Sequence, residues 1–111
     1  MTLQDLVNKL AAEFKADPRS KISVNEEMLI ASATEETGGG AVSAAQIRKV
    51  IAAYLSGDMD GKLEAIYDGA VYACGLSAKH CFNDDPEDDI DYVIDWLEQS
   101  DGSFVAEVRP N

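Results

Sequence analysis

Asn83-Asp84-Asp85-Pro86-Glu87-Asp88-Asp89-Ile90-Asp91-Tyr92-Val93-Ile94-Asp95-Trp96-Leu97-Glu98 is the stretch on which the fold turns. Asp85 suits a helix N-cap and Pro86 the first helical position, where a missing N–H costs nothing. Acidic residues in the first turn complement the helix dipole. Ile90, Val93, Ile94 and Leu97 recur at three- and four-residue intervals, so the spacing predicts a helix over 86–99, closed by Asp101-Gly102. Asp88, Asp91, Asp95 and Glu98 then share the opposite face. On such a helix neighbouring carboxylates stand roughly 5–6 Å apart, and the row runs ~15 Å along the axis. Each like-charge neighbour costs a few tenths of a kcal/mol, about the size of a helix-surface ion pair, and no Lys or Arg intervenes. A face of this kind serves either to keep the protein soluble or to dock a basic protein. Tyr92 and Trp96 flank the apolar stripe; Tyr92 is the candidate exposed anchor, and Trp96 is expected in the core.

Working outward, Thr2 with Asp5 forms a capping box ahead of Leu3, Leu6, Val7, Leu10 and Phe14, which predicts a helix over 2–16 ended by Asp17-Pro18. Lys21-Ile22-Ser23-Val24 alternates briefly. Ser23 with Glu26 offers a second capping box, and direct entry into a helix over 24–34 is preferred to a short strand. Thr37-Gly38-Gly39-Gly40 reads as a flexible loop near 37–41. Ser43 and Gln46 cap a helix over 44–56 that stops at Gly57. From Gly61 to about Lys79, small residues (Gly69, Ala70, Ala73, Gly75, Ala78) suggest a central helix packed closely by its neighbours. Ser103–Val108 alternates like a strand, with residues 20–24 or a second copy of the chain as its pairing options. The expected fold is mainly α, one domain over 1–111, with about five helices and a short C-terminal strand or hairpin.

The net charge is −12 over 111 residues, and it is segregated. Met1–Leu55 holds six Lys/Arg against seven Asp/Glu, whereas Ser56–Asn111 holds three against fourteen. Segregated charge repels itself and favours a cationic partner. Direct nucleic-acid binding is excluded, because counterion release needs basic side chains; Lys15, Arg19 and Lys21 make only a small basic spot. The N-terminus lacks both a basic stretch and a long apolar run, so no signal peptide or membrane span is expected, and a cytoplasmic setting follows.

Ser56-Gly57-Asp58-Met59-Asp60-Gly61-Lys62-Leu63 matches part of a calcium-binding EF-hand loop, with Asp58, Asp60 and Gly61 in register. The first ligand position falls on Ser56 and the twelfth on Tyr67, so the leading Asp and bidentate Glu are missing. A degenerate calcium site is the minor alternative to a plain helix–helix turn. Cys74, His80 and Cys81 are too few for a zinc site. Seven residues apart on one helix, the cysteines would lie ~10 Å apart, beyond disulfide reach. A dense negative field raises rather than lowers a thiol pKa, which argues against cysteine catalysis. No catalytic residue, metal ligand or cofactor is assigned.

In general character, being short, acidic and helical, the chain is similar to colicin-type immunity proteins and phage-encoded anti-defence proteins. The likeness lies in composition and transfers no residue roles. The functional expectation is a non-enzymatic inhibitor or immunity-type protein. Its face of Asp84, Asp85, Asp88, Asp91, Tyr92, Asp95 and Glu98 blocks the basic, nucleic-acid-binding surface of a partner protein, with the carboxylate row mimicking phosphate spacing. The alternative is an oligomeric adaptor, such as a homodimer, with an apolar interface through Phe104-Val105 strand pairing.

Overall fold

The computed structural model describes residues 2–17, 21–38, 40, 42–82 and 91–111. In chain order they form α1 (Leu3–Ala16), β1 (Ile22–Val24), α2 (Glu26–Glu36), α3 (Ala44–Ser56), α4 (Gly61–Phe82), β2 (Tyr92–Glu98) and β3 (Phe104–Pro110). The radius of gyration is 13.5 Å, close to the ~13 Å expected of one domain this size. Among the described residues no helix is long and apolar enough to cross a membrane.

Local signals set the helix ends. Thr2 and Asp5 close one reciprocal capping box, and Ser43 and Gln46 close another. Gly57 ends α3 in the left-handed region at φ 82°, a conformation that costs a glycine little. Asp60 Oδ1 accepts from the backbone N–H groups of Lys62 and Leu63, both at 3.0 Å, and so caps the start of α4. The segment read as a partial calcium loop thus joins α3 to α4 as a capped turn. Among the described residues, no group of three or more His, Cys, Asp or Glu is arranged to hold a metal ion.

α4 is the central element and touches all the others. Its buried residues Gly69, Ala70, Ala73, Cys74, Ser77 and Ala78 are small, which lets neighbouring backbones come close. At Gly69 an added Cβ would stand 3.1 Å from Ala33 Cα on α2. The Ser32 hydroxyl, fully buried, donates across this contact to the Gly69 carbonyl. Leu29, Ile47, Val50, Ile51, Val7, Val24 and Val108 are fully buried around α4, and burial of such side chains contributes roughly 1.5–3 kcal/mol each.

The structure corrects the sequence reading in two places. Entry into α2 runs through a short strand, Ile22–Val24, and the capping side chain is that of Asn25, which accepts from Met28 N at 3.0 Å, not that of Ser23. Alternation wins there because Ile22 and Val24 bury while Ser23 stays exposed, and β3 supplies the partner: Ile22 pairs with Val108 and Val24 with Ala106.

The larger correction concerns the predicted helix over 86–99. Its described part is β2, leaving four helices and a three-stranded antiparallel sheet in the order β1-β3-β2. Tyr92-Val93-Ile94 and Trp96 are β-branched or aromatic, types that favour a pleated surface. Pairing them with β3, from Tyr92–Pro110 to Glu98–Phe104, seats Tyr92, Ile94 and Trp96 on the same side as the core residues Phe104, Ala106 and Val108. Asp101-Gly102 is the hairpin turn, not a helix stop. Gly102 has φ 87°, and Asp101 Oδ1 accepts from the Ser103 N–H at 2.9 Å and the Ser103 hydroxyl at 2.6 Å. The expected start of that helix at Asp85-Pro86 lies outside the described residues, as do Gly39 and Ala41 of the glycine-rich loop.

Candidate functional site

A strand sends alternate side chains to opposite faces, so β2 divides what a helix would have gathered. Asp95 points to the outer face of the sheet, where Arg109 Nε approaches its Oδ2 at 3.5 Å and Lys21 Nζ bridges Glu107 at 3.1 Å. Glu98 falls on the other side, opposite Phe104, and is exposed. Asp91 precedes β2, its carbonyl accepting from Asn111 N at 3.1 Å. The predicted single row of Asp88, Asp91, Asp95 and Glu98 is therefore not formed by the described members. Asp84, Asp85 and Asp88 lie outside the described residues.

Tyr92 is half-buried instead of projecting freely, because α4 lies beneath it. A Cβ added at Gly75 would meet the Tyr92 hydroxyl at 3.0 Å. Burial pushes the Tyr92 phenol pKa up. Trp96 is also half-buried, and its indole N–H donates to the Tyr67 hydroxyl at 3.3 Å. These two meetings, Gly75 with Tyr92 and Tyr67 with Trp96, show that α4 and β2 lie side by side and run in opposite directions.

The groove along this seam is the candidate site. Asp68, Val71, Tyr72, Gly75, Leu76, Lys79, Asp91 and Tyr92 line an open cleft of about 550 Å³. Tyr72 is 48% exposed, so its ring is available to a ligand. Glu64, one turn before Asp68, is exposed on the same helix. At the Trp96 end, Tyr67 stacks on Tyr54 at 4.3 Å and 15°, and meets Trp96 at 6.0 Å and 56°. Tyr54 is 49% and its neighbour Leu55 55% exposed. Aromatic rings beside carboxylates attract guanidinium and ammonium groups, through the ring quadrupole and through charge-assisted hydrogen bonds.

Tyr54, Tyr67 and Tyr72 were not singled out from the sequence. The Tyr54–Tyr67 stack joins α3 to α4, and only the meeting of Tyr67 with Trp96 depends on a strand at 92–98. The remaining candidates for chemistry are quiet. Cys74 and Cys81 both carry free thiols. Cys74 is fully buried, and that burial pushes its pKa up to about 12, which leaves no thiolate nucleophile near neutral pH. A second cleft, between the end of α1 and β1, mixes Glu13, Asp17 and Glu107 with Lys21 over Leu10 and Phe14. No protein-family model, curated protein or solved structure matches this chain.

Proposed function

We propose that this is a small, acidic, non-enzymatic binding protein whose α4/β2 face docks on the basic, nucleic-acid-binding surface of a partner protein, as an inhibitor or immunity-type protein would. The observation that carries the reading is the groove in which Asp68 and Asp91, with Lys79 also in the lining, stand beside the exposed ring of Tyr72 and the half-buried ring of Tyr92. Net charge of −12 adds long-range attraction to a cationic surface, raising the association rate and making it salt-sensitive. Exposed aromatic side chains supply area at low entropic cost, as interface anchors do. Regular mimicry of phosphate spacing is not part of this proposal, since β2 sends Asp95 and Glu98 to opposite faces.

A second reading has one observation in its favour. Leu97 is 42% exposed on the outer face of the sheet, opposite Val105 in register, which gives an oligomeric adaptor an apolar contact. Phe104, assigned to that interface from the sequence, is instead buried in the core. Association that survives high salt and is lost in Val105→Asp would favour this second reading.

The test of the first is capture of partners from lysate at low salt, eluted with a salt gradient, by the native chain and by the Asp68→Asn/Asp91→Asn variant. Native protein is expected to retain a basic, nucleic-acid-binding protein that the variant releases at lower salt. Equal retention by both would overturn the reading.

A further inference from the structure

β2 is an edge strand. In the order β1-β3-β2 it pairs with β3 on one side, and among the described residues no strand pairs on the other. Seven residues present about 23 Å of backbone there at ~3.3 Å per residue, a template for another chain. The groove opens at the start of this strand, where Asp91 and Tyr92 stand beside Asp68, Tyr72 and Lys79 of α4, so that its two carboxylates outnumber its one ammonium. We propose that the partner contributes an extended basic segment that adds to β2 as a fourth strand, its alternate basic side chains entering the α4/β2 groove. The inference rests on the preceding reading and gives it a mode of binding and a partner sequence pattern.

Alternation fixes that pattern. Every second side chain of the added strand falls on the α4 side, over Asp68, Tyr72, Asp91 and Tyr92, where arginine or lysine meets both carboxylate and ring. The intervening side chains lie on the outer face beside Val93, Asp95 and Leu97, where β-branched residues pack against Val93 and Leu97 and Asp95 already has Arg109 beside it. The pattern is basic–apolar–basic–apolar in an extended conformation, with main-chain hydrogen bonds for affinity and the groove for selectivity. A second copy of this chain fits poorly. Antiparallel self-pairing centred on Asp95 would set two Asp95 carboxylates opposite each other, and like charges directly opposite destabilise a strand pair.

The probe is a synthetic peptide as long as β2 in which arginine alternates with valine, together with two versions N-methylated at every second backbone nitrogen, one for each edge. Binding is measured by calorimetry at low salt, and hydrogen exchange is followed at the β2 amides. Methylation of the edge that faces β2 is expected to weaken binding about tenfold or more, through lost main-chain hydrogen bonds. Methylation of the other edge is expected to leave binding within about twofold, and the parent peptide to slow exchange in β2. If both methylated peptides bind like the parent while Asp68→Asn/Asp91→Asn weakens all three, strand addition is wrong and acidic docking stands. If that variant changes nothing, or the parent peptide fails to bind, both are wrong. Concentration-dependent protection of β2 in the free protein would assign the edge to a second copy and overturn the proposal.

Discussion

The indole N–H of Trp96 on β2 donates to the hydroxyl of Tyr67 on α4 at 3.3 Å, and the same Tyr67 ring stacks on Tyr54 of α3. Three consecutive elements, α3, α4 and β2, are tied at one point. Tyr67→Phe keeps the stack but leaves the half-buried indole N–H without its acceptor. The expected loss is about 1 kcal/mol, read as a lower urea midpoint with an unchanged slope. An unchanged midpoint would show that the bond contributes nothing to stability.

Two glycines of α4 should respond to alanine with opposite signs. At Gly69 the new methyl would stand 3.1 Å from Ala33 Cα and 3.2 Å from Glu36 Cβ, in a contact already tied by Ser32. Overpacking of this kind costs about 1–3 kcal/mol, more than the ~1 kcal/mol that alanine gains over glycine in a helix. At Gly61, the first residue of α4, nothing lies within 4 Å, so Gly61→Ala should stabilise by roughly 0.4–1 kcal/mol, chiefly by restricting the unfolded chain. Thermal unfolding of the two variants checks the pair, and a stabilised Gly69→Ala would refute close α2–α4 packing.

Alkaline pH should destabilise the fold. Burial raises the Cys74 thiol pKa from 9.0 to about 12 and pushes up the phenol pKa values of Tyr67 and Tyr92. These groups are neutral when protonated, so above the unfolded pKa the unfolded chain releases protons that the folded chain keeps. Fewer protons bound in the unfolded state means stability falls as pH rises. The full contribution is present below about pH 9; the decline belongs to the window from there to about pH 12 for Cys74. Urea midpoints measured from pH 8 to 11.5 should fall, and Cys74→Ala, compared with its own value at pH 8, should fall less steeply. A flat profile would contradict the burial of these groups.

What the sequence made legible was local. Thr2 with Asp5, Ser43 with Gln46 and Gly57 set helix ends because each acts within one turn of itself. The small-residue run of α4 announced close packing for a similar reason: with little side chain, only near neighbours can fill the space. The stretch at 92–98 fits two periods, since Ile90, Val93, Ile94 and Leu97 satisfy a helical one while Tyr92, Ile94 and Trp96 satisfy a strand one equally well. Periodicity cannot arbitrate such a tie; the long-range pairing with β3 does. Two signals pointed to the strand, namely the β-branched and aromatic content and Asp101-Gly102 set between two apolar runs. The groove was illegible for the same reason, since Asp68 and Tyr72 meet Asp91 and Tyr92 only when 92–98 is extended beside α4. The acidic character of the C-terminal half was plain from composition, but its distribution over two faces was not.

Cationic ligands should prefer the α4/β2 groove to the many other carboxylates of a chain with 21 Asp and Glu. The most direct measurement is an amide chemical-shift titration of the labelled protein with a short arginine-rich peptide at low and at physiological salt. Changes are expected to concentrate at Asp68, Tyr72, Asp91, Tyr92 and the Trp96 indole, and to shrink as salt rises. Changes of equal size at exposed acids elsewhere, such as Glu13, Glu27 and Glu35, with the groove no different from them, would contradict that preference.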